Sequence, residues 1–306
     1  MATTIVPENP LSYRALYASP VVSVRDYCCR ACRGGPAAEE QSDGNHIVLM
    51  RHGAFCKHFG KRSVTADVNQ AVFFSRGSTY RVSHPTDHGD HGTVFVPSPR
   101  VLNDIIREFD PGVDDRPDTP FPFVTGPCDT GTFWRHREIA QRLAAAASHP
   151  VDPLWVDATA LQLVADVLAA AFAGRAQPRR RKDTDAGHAE RAEAAKTYLA
   201  SRLGERITLD DVARAVNASP FHFARLFRGQ TGVPVHRYLT HLRLRDALQR
   251  LADGADDLTA LAIELGFSSH SHFAETFRRE FGRTPSQVRS NASTRGLREL
   301  SKNLTA

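Results

Sequence analysis

A helical unit occurs twice between Leu209 and Arg278, and this duplication restricts the fold more than any other feature of the chain. Leu209-Asp-Asp-Val-Ala-Arg-Ala-Val-Asn-Ala-Ser219 lies over Leu258-Thr-Ala-Leu-Ala-Ile-Glu-Leu-Gly-Phe-Ser268 at an offset of 49, which sets Ala213 on Ala262 and Asn217 on Gly266. Phe221-His-Phe-Ala-Arg-Leu-Phe-Arg228 lies over Ser271-His-Phe-Ala-Glu-Thr-Phe-Arg278 at an offset of 50, so the second copy carries one extra residue in its turn. Phe223, Leu226 and Phe227 share one helical face, as do Phe273, Phe277 and Phe281. Each copy reads as a short helix, a tight turn and a second helix.

The turn residues have mechanical reasons to be where they are. Asn217 and Gly266 tolerate a left-handed backbone. Ser219 is placed to accept a bond from the free amides of the next helix, and Pro220 enters that helix with φ already set and no donor lost. Ser268 or Ser269 would cap the second copy in the same way. Ala213 and Ala262 are small where two helices must cross closely.

The other face of each second helix is polar and partly basic. Ser219, Phe221, His222, Arg225 and Arg228 occupy it in the first copy, and Ser269, His270, Ser271, His272, Glu275 and Arg278 in the second. A helix entering the major groove offers its N-terminal residues to base edges, where Arg pairs with guanine and a carboxylate accepts from the cytosine amino group. These eleven residues are therefore the expected contacts to double-stranded DNA. A solvated surface helix would have a similar face, but two copies at a nearly fixed offset weigh against that reading.

With these residues in view, the C-terminal hundred residues resemble the DNA-binding domain of the AraC/XylS family of bacterial transcription regulators. The stretch Ile263 to Arg289 matches the family signature at Gly266, Phe267, Phe273, Phe277, Gly282, Pro285 and Arg289. The resemblance implies that a long helix, Pro234 to about Leu251, joins the two units, so that one chain reads two major-groove segments about 34 Å apart. Glu275 stands where the family often has a basic residue, and Asn217 where it often has Gly.

The first half follows a different pattern. From Val21 to about Val96, apolar stretches such as Ile47–Met50, Ala71–Phe74 and Thr93–Val96 alternate with Gly44, Gly53, Gly60, Gly77, Gly89 and Gly92, the spacing of an antiparallel barrel or sandwich. Helical stripes follow over Val101–Phe109, Thr132–Ala147 and Pro153–Ala173, with a loop up to Pro127. The third stripe is apolar over most of its circumference, which suits either burial or a second copy of the chain. The resemblance implies a cupin-like antiparallel β-barrel with dimerisation helices. The expected class is thus α+β and multidomain, with an all-α C-terminal domain. Residues 1–174 are expected to form the sensing and dimerisation domain, 175–188 a linker, 189–290 the double helix-turn-helix domain and 291–306 a tail.

Charge supports that division. The formal net charge of +5 divides into −3 over residues 1–174 and +8 over 175–306. Only the second half is suited to a polyanion. No apolar run of about 18 residues suits a membrane-spanning helix and the first twenty residues carry no secretory signal, so no membrane partner is expected. Five cysteines, an odd number, argue for reduced thiols. The expected location is the cytoplasm.

The resulting expectation is a ligand-responsive regulator, an activator, that binds promoter DNA and turns over no substrate. Its partners would be double-stranded promoter DNA, RNA polymerase if it activates, an unidentified small-molecule effector and a second copy of the chain. No catalytic residue, cofactor or metal is assigned, and the effector-binding residues are unknown. One alternative makes the N-terminal Cys and His residues the sensor of thiol chemistry or metal. Cys28, Cys29, Cys32 and Cys56 lie among His46, His52, His58, His84, His88 and His91, and Cys29-x-x-Cys32 is half of a zinc site. A remoter alternative is a cupin-type metalloenzyme fused to a DNA-binding domain.

Overall fold

A computed structural model describes residues 10–176 and 182–290. Strands β1 (Leu11–Ala18), β2 (Val22–Cys29), β3 (Glu40–Gln41), β4 (His46–His52), β5 (Phe55–Phe59), β6 (Arg62–Ala66), β7 (Gln70–Phe74), β8 (Thr79–Ser83), β9 (Asp90–Pro97) and β10 (Thr125–Pro127) build the first half. They form a six-stranded sheet in the order β1-β2-β9-β4-β7-β10 and a four-stranded sheet in the order β3-β8-β5-β6. All the registered pairs are antiparallel.

The expected closed barrel is replaced by these two sheets. Helix α3 (Pro153–Ala176) packs on β10, β2 and β9. At the edge strand β10, Ala171 of α3 comes so close to Gly126 that a Cβ there would stand 2.7 Å from the alanine Cβ. The helix thus takes the space a closing strand would need. Gly53, Gly60, Gly77 and Gly89 take positive φ at turns as expected, but Gly92 lies inside β9. There the Tyr27 ring packs 2.4 Å from where a Cβ would be, so the glycine makes room for an aromatic neighbour.

Helix α1 (Pro99–Arg107) and helix α2 (Thr130–Ala144) occupy the expected stripes, and the expected loop before Pro127 contains a 3₁₀ turn at Pro111–Asp115 as well as β10. By length and composition Pro153–Gly174 would suffice to cross a membrane, against the expectation of no such segment. Its Val156, Ala160, Leu163, Val164, Val167 and Leu168 are at most 1% exposed, joining the core beneath the six-stranded sheet. Burial within the chain accounts for this part of the apolar surface.

Helix α4 (Lys182–Ala200) begins inside the segment expected to be a linker, so that Lys182–His188 are helical; the remainder, 177–181, and the tail from 291 lie outside the described residues. Helices α5 (Leu209–Ala215), α6 (Pro220–Thr231), α7 (Val235–Ala252), α8 (Leu258–Glu264), α9 (His270–Phe281) and α10 (Pro285–Ser290) complete the second half. The repeat is therefore α5–α6 and α8–α9, joined by α7.

The two halves share a buried polar interface that local sequence patterns do not announce. Arg245 of α7, 1% exposed, donates to the carbonyls of Val68 (2.6 Å) and Cys128 (2.9 Å) and lies over the Phe133 ring. The Tyr238 hydroxyl donates to Asp67 (2.6 Å), and the Asn69 amide to the Tyr238 carbonyl (3.2 Å). Asp246 pairs with His52, Arg137 donates to Gln249, and the Thr65 amide donates to Glu193 of α4 at 2.7 Å. Buried polar groups demand such partners, so each bond also specifies how the halves dock.

Candidate nucleic-acid interface

The first helix of each unit is fixed at its start by side chains. Thr208 and Asp211 form a reciprocal capping box at α5, and Asp257 accepts from the amides of Thr259 (2.8 Å) and Ala260 (2.9 Å) at α8. Both turns then take the left-handed residue the sequence suggests, Asn217 at φ 51° and Gly266 at φ 74°. Ala213 and Ala262 are fully buried at the crossing.

The second helices differ at their caps. Ser269 caps α9 by accepting from the His272 amide at 3.1 Å, as expected. Ser219 stands at the N-cap of α6 but accepts no cap bond, a correction to the expectation; Pro220 in the first turn supplies the preset φ and carries no amide to satisfy. Both helices end on a left-handed glycine, Gly232 and Gly282.

Packing divides each second helix into two faces. Phe223, Leu226 and Phe227 are buried on α6, and Phe273, Phe277 and Phe281 on α9. Ser219, Phe221, His222, Arg225 and Arg228 are exposed, as are Ser269, Ser271, His272, Glu275 and Arg278; His270 is half-buried. Phe221 is 74% exposed, an unusual place for an aromatic ring, and Arg225 reaches back over it. His222 lies edge-on to His188 of α4, while His272 contacts Ser268 Oγ at 3.0 Å. Among the described residues no carboxylate pairs with Arg225, Arg228 or Arg278. Three guanidiniums without a carboxylate partner on the two polar faces suit phosphates and guanine edges.

The N-terminal half anchors the back of the second unit. Glu280 of α9 accepts from Thr130 Oγ1 of α2 at 2.6 Å and faces His241 of α7 at 3.4 Å, and its carboxyl is pulled down to about 2, chiefly by His241. Phe281 meets the Trp134 ring edge to face. These contacts use the side of α9 away from Ser271, Glu275 and Arg278.

The five cysteines are all free thiols. Cys32 is exposed and takes no part with Cys29, so the half-site suggested by their spacing does not form. Burial raises the Cys56 thiol and pushes Cys128 up to about 12, which keeps both in the unreactive protonated form. Of the histidines weighed as ligands, His84 alone joins a group that would hold a metal, with Cys29 and Asp90. A cleft of about 260 Å³ lies between the halves, lined by Thr86 and His88 on one side and Ser201, Glu205 and Arg250 on the other.

Two helix-turn-helix units presenting exposed polar faces from one connecting helix define a DNA-binding module of the kind transcription regulators carry. Residues 212–291 match the helix-turn-helix domain family. The chain is similar to the regulatory protein PocR of Salmonella typhimurium, 29% identical over 102 residues, which are 33% of this chain and 34% of that protein. It is also similar to the transcriptional activator RhaS of Escherichia coli O139:H28, 35% identical over 92 residues, 30% of this chain and 33% of that one. Among solved structures, an AraC-type DNA-binding regulator from Chromobacterium violaceum is 30% identical, covering 35% of this chain and 96% of that chain with a TM-score of 0.33. The chain spans about a third of the length of the curated relatives it matches. Residues 212–291 are thus a helix-turn-helix domain similar to the one these regulators carry.

Proposed function

We propose that this protein is a sequence-specific transcription regulator that grips duplex promoter DNA with α6 and α9. The observation that carries the reading is the repeat itself: two equivalent helices keep the same polar face exposed on either side of α7. That connecting helix of 18 residues is about 27 Å long at 1.5 Å per residue, of the same order as one DNA turn of about 34 Å. Ser219, Phe221, His222, Arg225 and Arg228 would contact one groove segment, and Ser269, His270, Ser271, His272, Glu275 and Arg278 the next. Glu275 suits the cytosine amino group, and Arg225 a guanine.

The activator name of the similar RhaS supports activation, and with it contact to RNA polymerase. The −3 half, residues 1–174, would be the sensor of a small effector, followed by the 189–290 DNA-binding half. An effector acts only through differential affinity for two arrangements of these halves. A regulator of this kind works in the cytoplasm, where its promoter is, and α3 retains Leu154, 75% exposed, as a contact for a second copy.

Fluorescence anisotropy with a random duplex tests the DNA reading. Affinity falls steeply with salt as each neutralised phosphate releases counterions, with a log–log slope of about −0.9 per phosphate. A flat salt response overturns it. On a selected operator, Arg225→Ala costs about 1–3 kcal/mol and relaxes one base pair, while on random duplex it costs little.

A further inference from the structure

Two neighbouring cross-strand pairs of β2 and β9 place chemistry on opposite faces of the same sheet. Cys28 is registered with His91, and Cys29 with Asp90. On the first face Cys28 Sγ lies 3.1 Å from His91 Nε2. On the second, His84 arrives from an isolated bridge to Gly34, and its Nε2 stands 3.3 Å from Cys29 Sγ and 3.1 Å from Asp90 Oδ2. The three ligating atoms all lie within 4.8 Å of one another.

Asp90 is a buried carboxylate at ion-pair distance from His84. It is 1% exposed, and neither of its carboxylate oxygens has a hydrogen-bond partner. The nearby Tyr27 hydroxyl is engaged with Met50 Sδ at 2.8 Å, which leaves His84 as the charged neighbour of this carboxylate. A buried carboxylate without donors is costly unless a cation compensates it. The backbone around it is also compressed: a Cβ on Gly89 would meet the Cys29 carbonyl at 2.1 Å, and one on Gly53 would meet Asp90 Cβ at 2.9 Å. Those close approaches hold the thiol and the carboxylate side by side.

We propose that Cys29 Sγ, His84 Nε2 and Asp90 form a binding site for a divalent transition metal of the zinc class. One thiolate, one imidazole and one carboxylate make a borderline donor set that favours zinc or cobalt over magnesium or calcium. Tetrahedral bonds of about 2.0–2.3 Å separate neighbouring ligand atoms by about 3.3–3.5 Å, close to the spacings seen here. The fourth position is left to water or another donor. Binding releases the thiol proton and any proton on the imidazole. His84 and Asp90 bracket the segment whose Thr86, Asp87 and His88 line the cleft between the two halves, so a bound metal fixes both ends of that segment. The metal site stands independently of the DNA reading.

The test uses the full chain, stripped with chelator and dialysed against zinc, or titrated with cobalt(II) and followed by its thiolate charge-transfer absorption. One equivalent is expected, with one thiolate on cobalt. Cys29→Ser and Asp90→Asn lose it, while Cys28→Ser and Cys32→Ser keep it. If Cys29→Ser fails to fold by circular dichroism, His84→Gln, at the rim of the site, carries the same comparison. Uptake of no metal by the unmodified chain overturns the proposal and leaves His84 and Asp90 as an imidazolium–carboxylate pair. So does retention of the cobalt–thiolate band in Cys29→Ser or His84→Gln, or its loss in Cys28→Ser or Cys32→Ser.

Discussion

At single residues, the two copies of the repeat solve one backbone problem in different ways. Asn217 turns through φ 51° in the open, whereas Gly266 does so beneath the guanidinium of Arg243. Arg243 donates to the carbonyls of Leu203 (2.9 Å), Gly266 (3.0 Å) and Glu205 (2.7 Å), tying α8 to the end of α4. A Cβ on Gly266 would stand 2.5 Å from Arg243 Nη2 and 2.9 Å from the Leu203 carbonyl. Gly266→Ala therefore incurs left-handed strain of about 1 kcal/mol and disturbs charged hydrogen bonds worth about 1.5–3 kcal/mol. Urea unfolding should show a loss of about 2–4 kcal/mol. Asn217→Gly should change stability by less than about 1 kcal/mol, because no such neighbour surrounds it. Equal losses at the two sites would refute the assigned role of Arg243.

Among elements, α7 is the one that faces both ways, and its Asp246–His52 pair makes docking depend on pH. Burial opposes the charge on His52, but the Asp246 carboxylate outweighs it and raises the imidazole above its ordinary 6.5; Arg250 opposes and Asp253 assists. His91 lies edge-on to the same ring, 5.9 Å away. Burial alone would raise the Asp246 carboxyl, yet His52 and Arg250 hold it below its ordinary 3.8. The imidazolium contribution is complete below pH 6.5 and is lost as pH rises through the docked His52 value. The carboxylate contribution is complete above pH 3.8 and is lost as pH falls through the docked Asp246 value. Thermal stability should thus fall as pH rises above 6.5, and His52→Gln should flatten that limb. An unchanged slope in the variant would assign the dependence elsewhere.

The same scale shows what could be read in advance. The helix-turn-helix units were legible because their information is local: apolar positions three or four apart, a left-handed residue and a serine at the N-cap position recur within some twenty residues, although only Ser269 makes the cap bond. The strands were legible for the same reason, and the residues on the polar faces of α6 and α9 are exposed apart from the half-buried His270. Closure of the barrel was not, since it depends on Ala171 reaching Gly126 across 45 residues of chain. Nor was the Cys29–His84–Asp90 group, because Cys29-x-x-Cys32 suggested a neighbour in sequence where the sheet supplied one in register. Lys182–His188 looked like a tether because charge hides helical continuity when no apolar stripe accompanies it.

For the whole molecule, the question is whether the two halves unfold as one object. Arg245 ties them directly: it is a guanidinium at 1% exposure that donates to the carbonyls of Val68 and Cys128 in the other half. Replacing it by Met keeps much of the stem packed against Phe133 but leaves both carbonyls without that donor inside the interface, at a cost of about 1–3 kcal/mol for each unsatisfied group. The damage falls on docking more than on either core, since neither Phe223 and Phe273 on one side nor Ile47 and Phe95 on the other touch the lost bonds. Calorimetry of the unmodified chain should therefore give one cooperative transition, with calorimetric and van't Hoff enthalpies in agreement, and Arg245→Met should split it into two. The salt slope of DNA binding should stay as it was, because none of the eleven exposed or rim residues on α6 and α9 is bonded to Arg245. Two transitions already present in the unmodified chain would mean that the buried polar interface does not couple the halves, and any signal would then have to pass by another route.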